Sequence, residues 1–448
     1  SSRREYQCFV LFEHFSIRVL GHQSSRCEYQ CFVLFVHFSI RVLGVSNPSS
    51  SISLRPDRNG LTWTLSNVGI SLHANYRAVR SGWIRLSNSG SVSVSVSGAS
   101  MSVTTGFGES SIGQPTISRV TCSSRINSVR VRFHGSWSWL INLFKGWIGR
   151  KMKDALQPQI CRQVQRIVNE KAETALASMK MTSDFGRYFY ISYNMIAPPR
   201  VTSSYLEIWN KGTVYSKSGK REPPFSPQTI PASDSTRMVY FWITQYSFNT
   251  LLYQAYTSGL LKYQVTKPML PPGDQPSVDM ICGQNCIGAA FPQEANNNSG
   301  SSVDVGLECA ALPTATLTTN RLTIDISAAV DLRVRSPSNR LSDLATLNVS
   351  VSLTFEPNVR GSILGGRITR HSLELSDVRL ANGGILKTPP VLDTILTRLV
   401  GIAVIPKVNV LAAQGVQLPS ADGFSLRNTG LNIKQGYLMI GTDMAVNW

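Results

Sequence analysis

Between Cys122 and Cys161 the chain sets Lys145, Arg150, Lys151 and Lys153 among Trp137, Trp139 and Trp147. Ammonium and guanidinium groups beside indole surface suit anionic groups whose neighbours are apolar. Signals for other chemistry are missing: there is no Gly-x-Ser-x-Gly elbow and no His-Glu-x-x-His pair. "GFGESSIG" at 106–113 follows a strand pattern but opens no helix, so it reads as a turn and not a phosphate cradle. No histidine lies near Cys282, Cys286 and Cys309; a disulfide to Cys309 is the expected arrangement, with one of the three left over and no metal bound. No catalytic residue and no cofactor are expected.

Charge sharpens the anion-binding reading. The formal net charge of +18 is carried almost wholly by one half of the chain. Residues 1–240 hold 29 Lys+Arg against 12 Asp+Glu, whereas 241–448 hold 15 against 14. Charged helix faces are usually only solvated, but this asymmetry favours a functional patch in the first half. Nucleic acid, an anionic membrane and lipopolysaccharide are the candidate partners; no recognised nucleic-acid module is present. Eight cysteines and the sequons at Asn297 and Asn348 fit a secreted glycoprotein. The longest apolar run, near 395–405, is short for a bilayer span and carries Arg398, so a soluble protein is expected.

The elements that must position these groups are legible from periodicity. From Leu61 apolar residues alternate: Leu61, Trp63, Leu65, then Val68, Ile70, Leu72, Ala74, Tyr76, with a turn expected at "RAVRSG" (77–82). The serine-rich 89–103 reads as a strand with serine outward, and its apolar phase shifts across Gly98, predicting a bulge. Val129, Val131 and Phe133 alternate with Arg130, Arg132 and His134. Near Ser138 the period becomes helical through Leu140, Phe144, Ile148, Met152 and Leu156, with Pro158 expected to kink or divide a long helix. "KREPPFSPQTIPASDS" (220–235) reads as a linker. The second half shows a helix from 248, strands at 322–334 and 347–355, and a long apolar helix after Pro390 through Leu392, Ile395 and Leu399.

The expected class is therefore α+β: antiparallel sheets, each wrapped round one long apolar helix and leaving an aliphatic slot suited to acyl chains. A Cys122–Cys161 bridge would pin strand to helix in the first half. The first 44 residues are set apart: 1–21 recurs as 24–44, differing only at Arg4/Cys27 and Glu13/Val36. Two copies are too few for a solenoid, and the segment is assigned no role in either half.

Several ordered motifs carry a resemblance: "CSSRINSVRV", "WLINLF", "QPQIC", "APP" at 197–199, "PPFSP" at 223–227, "RMVYF" at 237–241, "FNT" at 248–250, "VIPKVN" and "GYLMIGTDM". Over residues 60 to 448 the chain resembles the bactericidal/permeability-increasing protein and lipopolysaccharide-binding protein family of tubular lipid-binding proteins. The resemblance implies a boomerang of two elongated, highly twisted antiparallel β-barrels, each round a long helix, joined by a central sheet and the Pro-rich linker. The implied divisions are 1–45 (the duplicated segment), 46–217 (N-terminal barrel, its first helix missing), 218–240 (linker) and 241–448 (C-terminal barrel). It further implies a cationic tip, here Arg77, Arg80, Arg85, Lys145, Arg150, Lys151 and Lys153, and lipid pockets lined by Leu140, Phe144 and Ile148 and by Leu392, Ile395 and Leu399. Trp83, Trp137, Trp139 and Trp147 are open to two readings, core packing or a membrane interface. The function implied is a secreted, monomeric, antibacterial innate-immune protein without enzyme activity. Its partners would be lipopolysaccharide, phospholipid and the anionic bacterial outer membrane. The alternative is a phospholipid or neutral-lipid transfer protein.

Overall fold

The computed structural model describes residues 33–46, 48–81, 86–136, 138–143, 145–228, 230, 236–419 and 424–446. The chain divides into two compact units, residues through Met179 with Ala197–Trp209, and Lys180–Ile196 with Asn210 onward.

In unit 1 the strands are β1 (Val33–Val45), β2 (Ser49–Arg55), β3 (Gly60–Ser81), β4 (Leu86–Glu109), β5 (Pro115–Arg125) and β6 (Ser128–His134). They form one antiparallel sheet in the order β1-β3-β4-β5, with β2 also on β3 and β6 also on β4. At 24 residues, β4 extends about 80 Å, far beyond an ordinary strand. Its length follows from unbroken alternation: Val92, Val94 and Val96 are buried while the serines between them face outward. The phase then shifts as the sequence predicts. Gly98 takes a left-handed φ of 60°, and the register slips between Val68↔Ala99 and Ile70↔Val96. No turn interrupts Arg77–Ser81 of "RAVRSG", which stay in β3 and pair with β4 out to Arg80↔Leu86; residues 82–85 lie outside the described residues.

Helix α1 (Ser138–Asn142) leads into α2 (Lys145–Ile167), a π turn at Val168–Ala172 and α3 (Glu173–Ala177). Pro158 does not divide α2. Proline removes only one backbone donor, and the helix is held to the sheet on either side of it. The Ser124 hydroxyl donates to the Gln157 carbonyl (2.7 Å), the Ile126 amide donates to Gln157 Oε1 (3.2 Å), and Cys161 is bonded to Cys122. Gly149 is the buried residue of α2; a Cβ there would stand 2.6 Å from the Val129 carbonyl oxygen, so only glycine lets the helix approach β6 so closely.

Two expectations for unit 1 need correction. The duplicated segment is not idle: its second copy supplies β1, paired with β3 from Val33↔Ser81 to Val45↔Ile70. Leu34, Val36, Phe38, Ile40 and Val42 have strand periodicity, which suits an edge position in a long sheet. Residues 1–32 lie outside the described residues. The boundary also differs, since β7 (Thr182–Phe185) and β8 (Phe189–Ser192) belong to unit 2, while β9 (Arg200–Val201) and β10 (Leu206–Glu207) return to unit 1.

Unit 2 continues with β11 (Thr213–Ser216), which pairs with β8 and thereby draws β7 and β8 in. The β11 backbone is anchored on α4 (Gln245–Thr257) through Val214 N–H to Thr250 Oγ1 at 3.0 Å. The Pro-rich stretch is a strap on this unit and not a free linker. The Arg221 carbonyl accepts from Gln254 (2.7 Å), and Glu222 accepts from the Tyr215 hydroxyl (3.0 Å) and Lys211 (3.2 Å). Phe225 meets Tyr253 edge-on. Residues 229 and 231–235 lie outside the described residues.

The main sheet of unit 2 uses β13 (Lys262–Val265), β14 (Ser302–Cys309), β15 (Thr314–Thr318), β16 (Arg321–Arg335), β17 (Leu341–Arg360), β18 (Ile363–Leu375), β19 (Val378–Leu380), β20 (Ile385–Leu386) and β21 (Val416–Gln417). Its central order is β13-β14-β16-β17-β18-β21, antiparallel throughout. A smaller sheet orders β12 (Val239–Thr244), β23 (Tyr437–Val446) and β22 (Phe424–Lys434). Short α5 (Pro292–Asn296) follows β13 in the chain. Helices α6 (Pro390–Leu399) and α7 (Ile405–Gln414), joined by a π turn, make one continuous helix over 390–414. By length and composition this helix could cross a membrane, which the sequence reading did not expect. Its first half is occupied otherwise, with Leu392, Ile395, Leu396 and Leu399 buried in the unit's core.

Candidate functional site

The sequence-predicted bridge is present: Cys122 on β5 and Cys161 on α2 are bonded, with Cα atoms 5.4 Å apart. The prediction for the other three cysteines fails. Cys282 bonds Cys286 across a four-residue separation, whereas the Cys309 thiol at the end of β14 is free and donates to the Ala311 carbonyl (3.0 Å). Local closure wins because the Gly-Gln-Asn turn brings the pair to a 6.1 Å Cα separation. Among the described residues no group of His, Cys, Asp and Glu is arranged to hold a metal ion.

Around α2 the structure separates an inward apolar face from an outward cationic one. Ile148, Met152, Leu156 and Ile160 recur every four residues or so and pack on the sheet, against a buried cluster of Ala74, Val92, Val94, Val96, Ala99, Ile126 and Val131. The four helix residues remain only partly buried, so this seam is incompletely filled. Away from that stripe Trp147, Arg150 and Lys151 are exposed, Lys145 is exposed at the helix start, and Lys153 is half-buried at the flank. The tryptophan ambiguity is resolved for two residues: Trp139 is 69% and Trp147 58% exposed, with Leu143 between them at 70%. Trp139 lies on α1, Trp147 in the first turn of α2 and Leu143 in the turn between the two helices. Large apolar groups this exposed, bordered by cations, are not core packing.

Not every expected site residue can be placed. Arg77 and Arg80 lie on β3 and Leu140 on α1, but their side chains are outside the described residues. Trp83, Arg85, Trp137 and Phe144 fall outside altogether. Asn297 follows α5, Asn348 lies on β17, and both are exposed.

In unit 2 the expected pocket wall is displaced. Leu392, Ile395 and Leu399 are buried among Val278, Met280, Ile287 and Phe291, so they are core and not lining. The partly open apolar surface lies farther along the sheet. Ile326, Val351 and Leu373 stand in register across β16, β17 and β18 and are all half-buried. This row sits between two filled clusters, one around Val330, Leu332 and Val349 and the other around Leu317, Leu322 and Ile440. Ile402 and Val404, in the π turn, are partly buried against the first cluster. The half-buried His371, two residues before Leu373, hydrogen-bonds the Thr397 carbonyl through Nε2 (3.1 Å) and ties β18 to the helix. Alternation in sequence marks which face is apolar; it carries no sign of which row is left half-filled.

The geometry defines a class: a tandem α+β chain in which each unit lays one long helix along the apolar face of an antiparallel sheet and leaves part of that seam open. Two family models match in tandem, the LBP / BPI / CETP family N-terminal domain over residues 13–171 and its C-terminal domain over 183–446. The chain belongs to the LBP / BPI / CETP family.

Relatives include a bactericidal permeability-increasing protein of Sebastes schlegelii, 28% identical over 402 residues, covering 89% of this chain and 83% of that one. A lipopolysaccharide-binding protein of Homo sapiens is 28% identical over 404 residues, covering 88% and 80%. A phospholipid transfer protein of Mus musculus is 22% identical over 400 residues, covering 88% and 78%. The crystal structure of lipopolysaccharide binding protein shares the fold, with a TM-score of 0.58 at 22% identity over 93% of this chain and 89% of that one.

Proposed function

We propose that this protein is a secreted, non-enzymatic lipid-binding protein of innate defence that binds lipopolysaccharide and acts against Gram-negative bacteria. The observation that carries the reading is the outward face of α1 and α2, where Trp139, Leu143 and Trp147 are exposed beside Lys145, Arg150 and Lys151. Lipopolysaccharide presents phosphates next to acyl chains, so it can engage the cations and the apolar groups together. The same surface suits the anionic bacterial outer membrane. Acyl chains would enter the open seams, beside Ile148 in unit 1 and at the Ile326–Val351–Leu373 row in unit 2. The names of the bactericidal permeability-increasing and lipopolysaccharide-binding relatives support this reading. Two disulfides fit an oxidising compartment, and the exposed Asn297 and Asn348 are the proposed glycan acceptors. The working unit is taken to be a monomer with no bound cofactor and no nucleic-acid partner.

The test is charge reversal of Arg150 and Lys151 in the full chain, read as lipopolysaccharide affinity in low and physiological salt. Each charge-assisted contact is worth about 1.5–3 kcal/mol before screening, so a loss of at least tenfold is expected. An unchanged affinity would overturn the electrostatic reading.

A second reading is lipid transfer. The open row at Ile326, Val351 and Leu373 favours it, because that row lies in the nearly charge-neutral half and needs no cationic tip. Transfer of labelled phospholipid between vesicles, undiminished by the charge reversal, would be its mark.

A further inference from the structure

The long helix of unit 2 is held in two different ways along its length. Its first part, α6, buries Leu392, Ile395, Leu396 and Leu399 in the core, and His371 adds a hydrogen bond to the Thr397 carbonyl. Its last part, α7, buries no residue, and Val408, Val410 and Leu411 are exposed. Two polar side chains tie α7 down instead. Asn409 accepts from the Ile368 amide (2.6 Å) and donates to the Ile368 carbonyl (3.3 Å), doing for one residue what a neighbouring strand would do. Lys407 sets its ammonium 4.8 Å from the centre of the Tyr263 ring. These ties reach different sides of the main sheet. Tyr263 belongs to β13, which begins the central order, and Ile368 to β18, whose outer edge β21 covers only at Ile363 and Leu364. Residues two apart on a helix point to nearly opposite sides, so the sheet curls until β13 and β18 flank α7. The half-buried row of Ile326, Val351 and Leu373 belongs to the same curled sheet. The joint between α6 and α7 is the π turn at Val400–Val404, and Pro406 just beyond it lacks the amide that would bond back across the joint.

We propose that α7 is a gate over the unit 2 slot: it swings about the π turn when Asn409 and Lys407 let go, and admits an acyl lipid between β13 and β18. This rests on the reading of the half-filled row as a lipid slot. A segment without buried apolar contacts opens at small cost, whereas the core anchors α6 in place. The closed state also carries a penalty of its own. The Tyr263 hydroxyl is buried and has no hydrogen-bond partner among the described residues. When Lys407 leaves the ring, that hydroxyl gains a partner in water or a lipid phosphate, which offsets part of the lost latch. The gate is therefore balanced between two states by a few polar contacts, and each can be removed singly.

The experiment follows backbone hydrogen exchange of the full chain at 390–399 and 405–414, together with the rate at which fluorescent phosphatidylcholine enters from vesicles. In the parent, 405–414 should exchange at least about tenfold faster than 390–399. Asn409→Ala removes two hydrogen bonds and should speed exchange at 405–414 by about ten- to a hundredfold, with 390–399 unchanged. Lys407→Ala disturbs no backbone bond and should speed it by about two- to fivefold; this variant also serves if the first folds poorly. Lipid entry and release should quicken together in both variants while the lipid content at equilibrium stays within about twofold, which separates a gate from a wall of the slot. Equal exchange at the two segments of the parent would overturn the proposal. So would lipid that enters the parent at a rate blind to both variants, and in that case the slot reading survives. If no lipid enters the parent at all, the slot reading fails and takes the gate with it.

Discussion

Removing the Cys122–Cys161 bridge, as Cys122→Ala with Cys161→Ala so that no stray thiol remains, should destabilise unit 1 selectively. The bridge closes a separation of 39 residues, for which loop-closure entropy gives about 4 kcal/mol. Little else compensates: the core beneath α2 is small, and Ile148, Met152, Leu156 and Ile160 are only partly buried. The surviving ties are the Gln157 contacts to Ser124 and Ile126 and the Gln165 amide on the Val120 carbonyl (3.2 Å). For a unit of this size 1 kcal/mol moves the midpoint by about 2–4 °C, so the unit 1 transition should fall by about 8–16 °C. Calorimetry of the full chain, with hydrogen exchange followed separately over 86–177 and 302–375, reads this directly. A drop of under about 2 °C, or equal loss of protection in both regions, would refute the reasoning that the bridge supports an underfilled seam.

Deleting residues 1–45 should lower soluble yield, because it strips β1 from β3 and leaves a long edge unpaired; an undiminished yield of monodisperse protein would show that β1 is dispensable. Val351→Trp should fill the open row of unit 2 and reduce co-purified acyl lipid in native mass spectrometry, whereas Leu392→Ala in the filled core should instead cost about 2–5 kcal/mol of stability; lipid content unchanged by the tryptophan would move the slot elsewhere. Burial pushes the Glu222 carboxyl up, but hydrogen bonds from Tyr215 and Lys211 outweigh it and hold it below the usual carboxylate range. A depressed carboxylate stabilises above its unfolded value and loses that contribution as pH falls through the folded one. The 217–228 strap should therefore gain hydrogen exchange on acidification below about pH 4, and Glu222→Gln should show that exchange already at neutral pH. Exchange in the variant that matches the parent at neutral pH would contradict the strap.

Much of the frame was readable from period alone. The serine-rich run is a strand because Val92, Val94 and Val96 fix one apolar face, and the bulge at Gly98 follows from a one-residue phase slip. The two long helices and the cationic stretch of α2 were likewise legible, since charge and 3.6-residue spacing are local properties of the chain. What failed depends on distant partners. Pro158 survives inside α2 because Gln157 and Cys161 hold the helix to β5, a tie that no helix rule contains. Leu392 and Ile326 look alike as apolar members of regular elements. Only packing shows that the first sits in a filled core and the second in a half-filled row. The Cys282–Cys286 bridge was missed because proximity in sequence said nothing of how the turn between them bends.

The proposed binding turns on one protein surface offering both charge and apolar area to the same ligand. The most direct measurement compares the full chain's affinity for intact lipopolysaccharide with its affinity for the same molecule stripped of its acyl chains, phosphates retained. The intact form should bind at least about tenfold more tightly, since apolar contact beyond the cations is lost on deacylation. Charge reversal at Arg150 and Lys151 should weaken both forms. Equal affinities for the two forms would contradict it, leaving Trp139, Leu143, Trp147 and the open seams without a part in binding.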